Sequence, residues 1–402
     1  MKVDAVGILP GIRRDEMLRQ DDQSARGAWS VIGIAGFDAL LSILRDRGYR
    51  LIGPRVEAGA IVLGSIRSSG DLPTGVGAIQ APGTYRLDAD GRAESFTLGA
   101  PAGSWKRILY PPEERLWRAR REGQDFVIED ESAEDDAGPL ALVGVHPCDL
   151  AAIGILDRVL ANQEHTADSR YRARRERTLV IAINCISPAE TCFCASMGTG
   201  PHADSGFDLV LQPLVPETGA DRGQLLVAAG TETGAELLTH INRRSASEDE
   251  RADAEAASTK AAAAMTRTMP ADIANVLQRS LDHPLWSEIA ERCLGCANCT
   301  MVCPTCFCAT VEDTTDLAGD HAERHRRWDS CFTSEHSYIH GGAIRASTAA
   351  RYRQWMVHKL SFWHGQFGTS GCVGCGRCIA WCPVGIDITQ EAARFAAAQD
   401  GH

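Results

Sequence analysis

The sequence predicts an α/β N-terminal domain built on a parallel βαβ unit, followed by a helical C-terminal domain organised by cysteines. Two observations predict it. Residues 141–145 (ALVGV) and 178–184 (TLVIAIN) are short apolar runs, and residues 149–162 between them carry apolar side chains at helical spacing. Strand, helix, strand at this length is a crossover that pairs the two strands in parallel. Further on, the pattern C-x2-C-x2-C-x3-C-P occurs twice, from Cys293 to Pro304 and from Cys372 to Pro383.

The remaining elements follow in order. Residues 40–54 (LLSILRDRGYRLIGP) have helical spacing and then a turn, while DLVLQPLV (208–215) and GQLLVAA (223–229) predict further strands. Residues 244–270 are polar, charged and alanine-rich, which predicts an exposed helix or linker. A helical segment is expected from Pro270 to Arg292, leading into the first cysteine run. The expected organisation is therefore an α/β domain over 1–245, a linker or helix over 246–284, and the cysteine-rich domain over 285–402.

Composition narrows the function classes. The chain has 402 residues, 44% hydrophobic and 23% charged, the profile of a soluble globular protein. Its net charge of −12 argues against nucleic acid and anionic lipid as partners. Residues 1–20 lack the apolar core of a signal peptide, and no stretch approaches 18 uninterrupted apolar residues. A cytoplasmic location is expected, where thiols stay reduced. The 15 cysteines then read as metal ligands or redox groups rather than disulfides.

The two runs have the spacing that a four-iron cubane demands. The first supplies Cys293, Cys296, Cys299 and Cys303, the second Cys372, Cys375, Cys378 and Cys382. Three closely spaced cysteines in a tight loop can cap three irons. Small residues such as Gly295, Gly374 and Gly376 let the backbone approach. The fourth cysteine leaves the loop in a new direction that proline enforces. In two-cluster ferredoxins this fourth cysteine serves the other cluster. Cys293, Cys296 and Cys299 are therefore expected to join Cys382, and Cys372, Cys375 and Cys378 to join Cys303, around two [4Fe–4S] clusters. The competing reading is zinc, which C-x2-C pairs also bind. The 68 residues between Cys303 and Cys372 predict a largely helical insertion in this ferredoxin-like domain. Most of its arginines and histidines are expected to face water.

Seven cysteines lie outside the runs. Cys306, Cys308 and Cys331 could complete another iron site, alter which thiols bind the first cluster, or be buried and inert. Cys148 and Cys185 follow the two parallel strands, so the crossover places them on one edge of the sheet although they are 37 positions apart. The loop after Cys185 brings Cys192 and Cys194. These four form a candidate third [4Fe–4S] site, with zinc, a redox thiol pair or inert cysteines as the alternatives.

The segments GVHPCDLAAIGILDRV (144–159), TCFCASMGTGP (191–201), CLGCANCTMVCPTCFC (293–308), RWDSC (327–331), GGAIR (341–345) and FGTSGCVGCGRCIAWCPVGIDI (367–388) carry a family resemblance. The chain resembles the beta (iron–sulfur) subunit of cytoplasmic NAD(P)-linked [NiFe] hydrogenases of the sulfhydrogenase type. One component of anaerobic sulfite reductases looks like a relative. The resemblance implies a non-catalytic electron-transfer subunit in a hetero-oligomer, between hydrogenase small and large subunits and a flavin subunit that reduces NAD(P). The alternative is the same role in an anaerobic sulfite or sulfur reductase complex. The residues agree with a wire. No G-x-G-x-x-G follows a strand, since Gly75-Val-Gly77 is followed by Gln80, and no separated C-x2-C pair of the nickel-binding kind is present.

Overall fold

The computed structural model describes residues 28–73, 75–88, 101–129, 138–162, 167–214 and 223–399; the N-terminal residues read for a signal peptide lie outside them. Among the described residues up to 245 there are twelve strands: β1 (Ser30–Ile32), β2 (Arg50–Glu57), β3 (Ala60–Ser65), β4 (Gly77–Ala81), β5 (Thr84–Asp88), β6 (Glu113–Glu122), β7 (Asp125–Glu129), β8 (Leu140–Val145), β9 (Thr178–Ile183), β10 (Leu209–Pro213), β11 (Leu225–Ala229) and β12 (Arg244–Ser245). Eight of them form one sheet in the order β12-β1-β11-β10-β9-β8-β2-β3. The centre, β10-β9-β8-β2, is parallel, and antiparallel pairs flank it on both sides.

The expected βαβ unit is β8, the Pro147–Leu156 helix with its continuation, and β9, paired in parallel register. Every residue of β8 and β9 is buried, because helices cover both faces of the sheet. Alternation sorts their side chains. Ala141, Val143, Leu179, Ile181 and Ile183 enter one core with Phe37, Leu40, Leu41 and Leu44 of the Ile34–Asp46 helix. Leu140, Leu142, Val145, Val180 and Ala182 enter the other, with Trp105 and Tyr171. The register slips between Val143 and Val145, where Gly144 takes a φ of +84°. This bulge sits at the end of β8, just before Cys148.

The insertion between the cysteine runs is only about one-third helical, a departure from expectation. Residues Ala309–Thr315 and His321–Trp328 are strands, β13 and β14, in a four-stranded sheet of order β13-β14-β6-β7. This sheet joins the two halves of the chain. β13 and β14 carry no apolar stripe, which is why the sequence concealed them. Cross-strand ion pairs line them instead: Arg324–Asp313 at 2.6 Å, Arg118–Glu323 at 2.6 Å and Arg327–Glu312 at 2.8 Å. One arginine of the insertion turns inward rather than to water. Arg326 is buried against the Tyr110 ring and pairs with Glu114 and Asp168.

The rest of the C-terminal region is helical apart from a small antiparallel pair, Tyr338–Ile339 with Gly342–Ala343. The polar segment forms the Glu248–Ala263 helix, opened by a Ser247/Glu250 capping box. The helix expected to run to Arg292 is two, Ile273–Arg279 and Leu285–Arg292, separated at His283–Pro284. They pack with the Thr348–Val357 and Ile388–Gln399 helices around Trp286, Ile289, Tyr352, Trp355, Met356 and Phe395. The Thr348–Val357 helix continues as a π-helical turn, His358–Phe362, which turns Lys359 inward. Among the described residues no helix is long and apolar enough to cross a membrane.

Candidate iron–sulfur centres

The first cysteine loop hangs from the Leu285–Arg292 helix, whose carbonyls Ile289 and Ala290 accept from the Cys293 N–H. Gly295 and Ala297 follow with φ of +64° and +65°, and the short Asn298–Met301 helix carries Cys299. The second loop repeats this backbone: Gly374 and Gly376 have φ of +65° and +73°, and Arg377–Ala380 is the matching helix. One pocket is lined by Cys293, Cys296, Cys299 and Cys382, with Cys378 at its inner side and Phe332, Tyr352 and Trp355 as walls. Backbone N–H groups already serve these sulfurs: Gly295 donates to Cys293 Sγ at 3.4 Å and Ile386 to Cys382 Sγ at 3.3 Å. Cys303 does not line this pocket.

Cys303 instead lies with the second loop. The Thr305 hydroxyl donates to the Gly371 carbonyl at 2.6 Å, tying the exit of the first run to the entry of the second. Lys359 Nζ donates to Thr305 Oγ1 at 2.9 Å, Gly371 O at 3.1 Å and Cys303 Sγ at 3.4 Å. Burial alone would lower the Lys359 pKa, but the thiols of Cys303, Cys306 and Cys372 hold its charge and raise it. Burial pushes the Cys372 thiol up to about 12 and raises Cys375 and Cys378 in the same direction.

The N-terminal quartet is assembled as the topology predicted. Cys148, in the first turn of the Pro147–Leu156 helix, and Cys185, just past β9, line one pocket with Cys192 and Cys194. Burial raises Cys185 to about 11 and Cys194 to about 12. This pocket touches the second ferredoxin loop, and Cys375 and Arg377 lie on its wall. Phe193 N–H donates to Gly374 O at 2.8 Å, and Thr199 Oγ1 to Val373 O at 2.7 Å. A Cβ on Gly376 would stand 2.3 Å from Thr191 O, and one on Gly374 2.6 Å from Cys194 N. Glycine is required there by close approach as well as by φ.

Among the described residues no three His, Cys, Asp or Glu side chains converge on a single-ion position. Thiolates around a four-iron core stand on different irons and so farther apart than around one zinc. The donor chemistry, all thiol with N–H groups aimed at sulfur, fits [4Fe–4S] clusters.

Of the three remaining thiols, Cys306 lies near Cys303, and Cys308 near Cys331. Cys331 and the nearby His336 lower the Cys308 pKa despite burial. Sequence reasoning missed three charged residues. Lys106 and Lys359 are buried beside these thiols. Arg377 makes a bidentate, fully buried pair with Asp149, both bonds 2.8 Å, between the second ferredoxin loop and the Cys148 helix. The signal for that pair was available: Arg377 and Asp149 each adjoin a cysteine, within CGRC and PCD.

Residues 292–386 match the family model described as a 4Fe-4S dicluster domain, which fits electron transfer. The chain is also 33% identical, over 315 residues, to "Sulfhydrogenase 2 subunit beta" of Pyrococcus furiosus. The match covers 77% of this chain and 89% of that protein. With that identity across that length, and with the cysteine runs folded as a dicluster unit, the chain belongs to the sulfhydrogenase beta-subunit family.

Proposed function

We propose that this chain is the iron–sulfur subunit that relays electrons between a [NiFe] hydrogenase module and a flavin-bearing NAD(P) reductase subunit in a hetero-oligomer. The observation that carries this reading is contiguity. Three cysteine quartets lie side by side: the first pocket has Cys378 of the second loop at its inner side, and the second loop packs on the Cys192–Cys194 segment. The [4Fe–4S] clusters would supply one-electron transfer. The proposed ligands are Cys293, Cys296, Cys299 and Cys382; Cys372, Cys375, Cys378 and Cys303; and Cys148, Cys185, Cys192 and Cys194.

The protein's part is to hold, insulate and order these groups. Trp355, Tyr352 and Phe332 wall the first site on its inner side. Its outer side is open: Cys296 is exposed, and Leu294 and Val384 beside it expose apolar surface. A partner protein docking there would reach a terminal site directly.

The test is to isolate the chain anaerobically and reduce it. Dithionite should bleach its visible absorption, while NAD(P)H and hydrogen should leave it unchanged without its partner proteins. Robust NADH oxidation by the pure chain, with no flavoprotein added, would overturn the proposal.

A further inference from the structure

We infer that Lys359, supported by Lys106, raises the reduction potential of the second ferredoxin centre. The inference rests on the electron-transfer reading and on the ligand set proposed there, in which Cys303 serves the second loop. Geometry places the cation. The π-helical turn His358–Phe362 turns Lys359 inward, where it is 5% exposed. Its carbonyl accepts from Gly371 N–H at 2.7 Å, and its Nζ donates to Gly371 O at 3.1 Å. Lys359 thus grips, by backbone and side chain together, the residue that precedes Cys372. Nζ also donates to Thr305 Oγ1 at 2.9 Å and to Cys303 Sγ at 3.4 Å. One side chain therefore touches both the proposed ligand from the first run and the entry to the second loop.

These contacts fix its charge. Three groups surround Nζ: a carbonyl, a hydroxyl whose hydrogen goes to Gly371 O at 2.6 Å, and a sulfur that carries no proton once it binds iron. All three are acceptors, and only an ammonium has three hydrogens to give them. Lys106, 3% exposed, is a second buried cation on the same segment. It donates to Cys306 O at 2.9 Å and lies over the Trp328 ring at 3.8 Å. Among the described residues no carboxylate pairs with either lysine. A buried charge is costly without an opposite charge nearby, and iron-bound thiolates supply it here.

The other two sites are arranged differently. Among the described residues no Lys, Arg, His, Asp or Glu lines the pocket of Cys293, Cys296, Cys299 and Cys382. In the N-terminal pocket Arg377 is balanced by Asp149 through two bonds of 2.8 Å. Reduction of the second centre places one electron, taken from the donor protein, on the four-iron core. No bond is made or broken, and the site gains one unit of negative charge. An uncompensated ammonium against sulfur, away from water, stabilises that unit more than it stabilises the oxidised state. Net charge and hydrogen bonds to sulfur are among the levers that set such potentials.

The experiment is a potentiometric titration of the full chain, reconstituted anaerobically and followed by EPR. The signal of the second centre is the one that Cys375→Ala removes. In Lys359→Met its reduction is expected to become at least about tenfold less favourable, a fall of about 59 mV or more for one electron. The signals removed by Cys296→Ala and Cys185→Ser should move far less, and Lys359→Arg should restore most of the loss. A Lys359→Met protein that keeps its iron and titrates at the unaltered potential would overturn the inference, as would an equal shift in all signals. If Lys359→Met does not hold the second cluster, Lys106→Met decides, because it leaves every contact of Lys359 in place. Reduction of the same signal should again become less favourable, by a smaller factor; an unchanged potential would overturn the inference. Failure of the electron-transfer reading itself looks different, because the unaltered chain then shows no reducible iron signal, and the inference falls with it.

Discussion

Replacing Cys382 with alanine is expected to abolish the same cluster signal as replacing Cys296, and to remove about four irons per chain. Cys303→Ala is expected to abolish instead the signal lost in Cys375→Ala. The reason is the change of direction after each third cysteine. Cys382 lines the pocket of the first loop, whereas Cys303 is held to the second through Thr305, Gly371 and Lys359. Pairing the variants by the signal they lose makes the readout independent of signal assignment. If Cys303→Ala and Cys296→Ala removed the same signal and spared the other, the crossed arrangement would be wrong.

The Arg377–Asp149 pair should give the largest effect on stability. Both side chains are almost wholly buried, at 3% and 1% exposure, and Arg377 Nε also donates to Pro101 O at 3.1 Å. Removing one partner strands a charge in low dielectric, so Asp149→Ala is expected to cost about 3–5 kcal/mol. The double replacement Arg377→Met/Asp149→Leu leaves no buried charge and is expected to cost far less than the sum of the two single changes. Denaturant unfolding under anaerobic conditions reads both numbers. A cost below about 1 kcal/mol for Asp149→Ala would show that the pair is not what fastens the second ferredoxin loop to the Cys148 helix.

The pattern of success in reading the sequence has physical causes. The β8–helix–β9 unit was legible because strands buried on both faces must be apolar throughout. Its edge convergence followed from topology, so Cys148 and Cys185 could be paired across 37 positions. The ferredoxin loops were legible because their spacing is local. The strands β13 and β14 were not, because their stability lies in ion pairs with partners far along the chain, such as Arg118 with Glu323. Lys359 was hidden by a π-helical turn that no periodicity announces.

In the proposed electron path the N-terminal quartet would take the iron–sulfur chain out of the ferredoxin unit and into the α/β domain. Iron analysis of the anaerobically reconstituted chain, with and without Cys185→Ser, tests this most directly. The unaltered protein should carry at least ~12 irons, and Cys185→Ser should lose about four of them together with one cluster signal. Iron near ~8 in the unaltered protein, with no signal changed by Cys185→Ser, would contradict it.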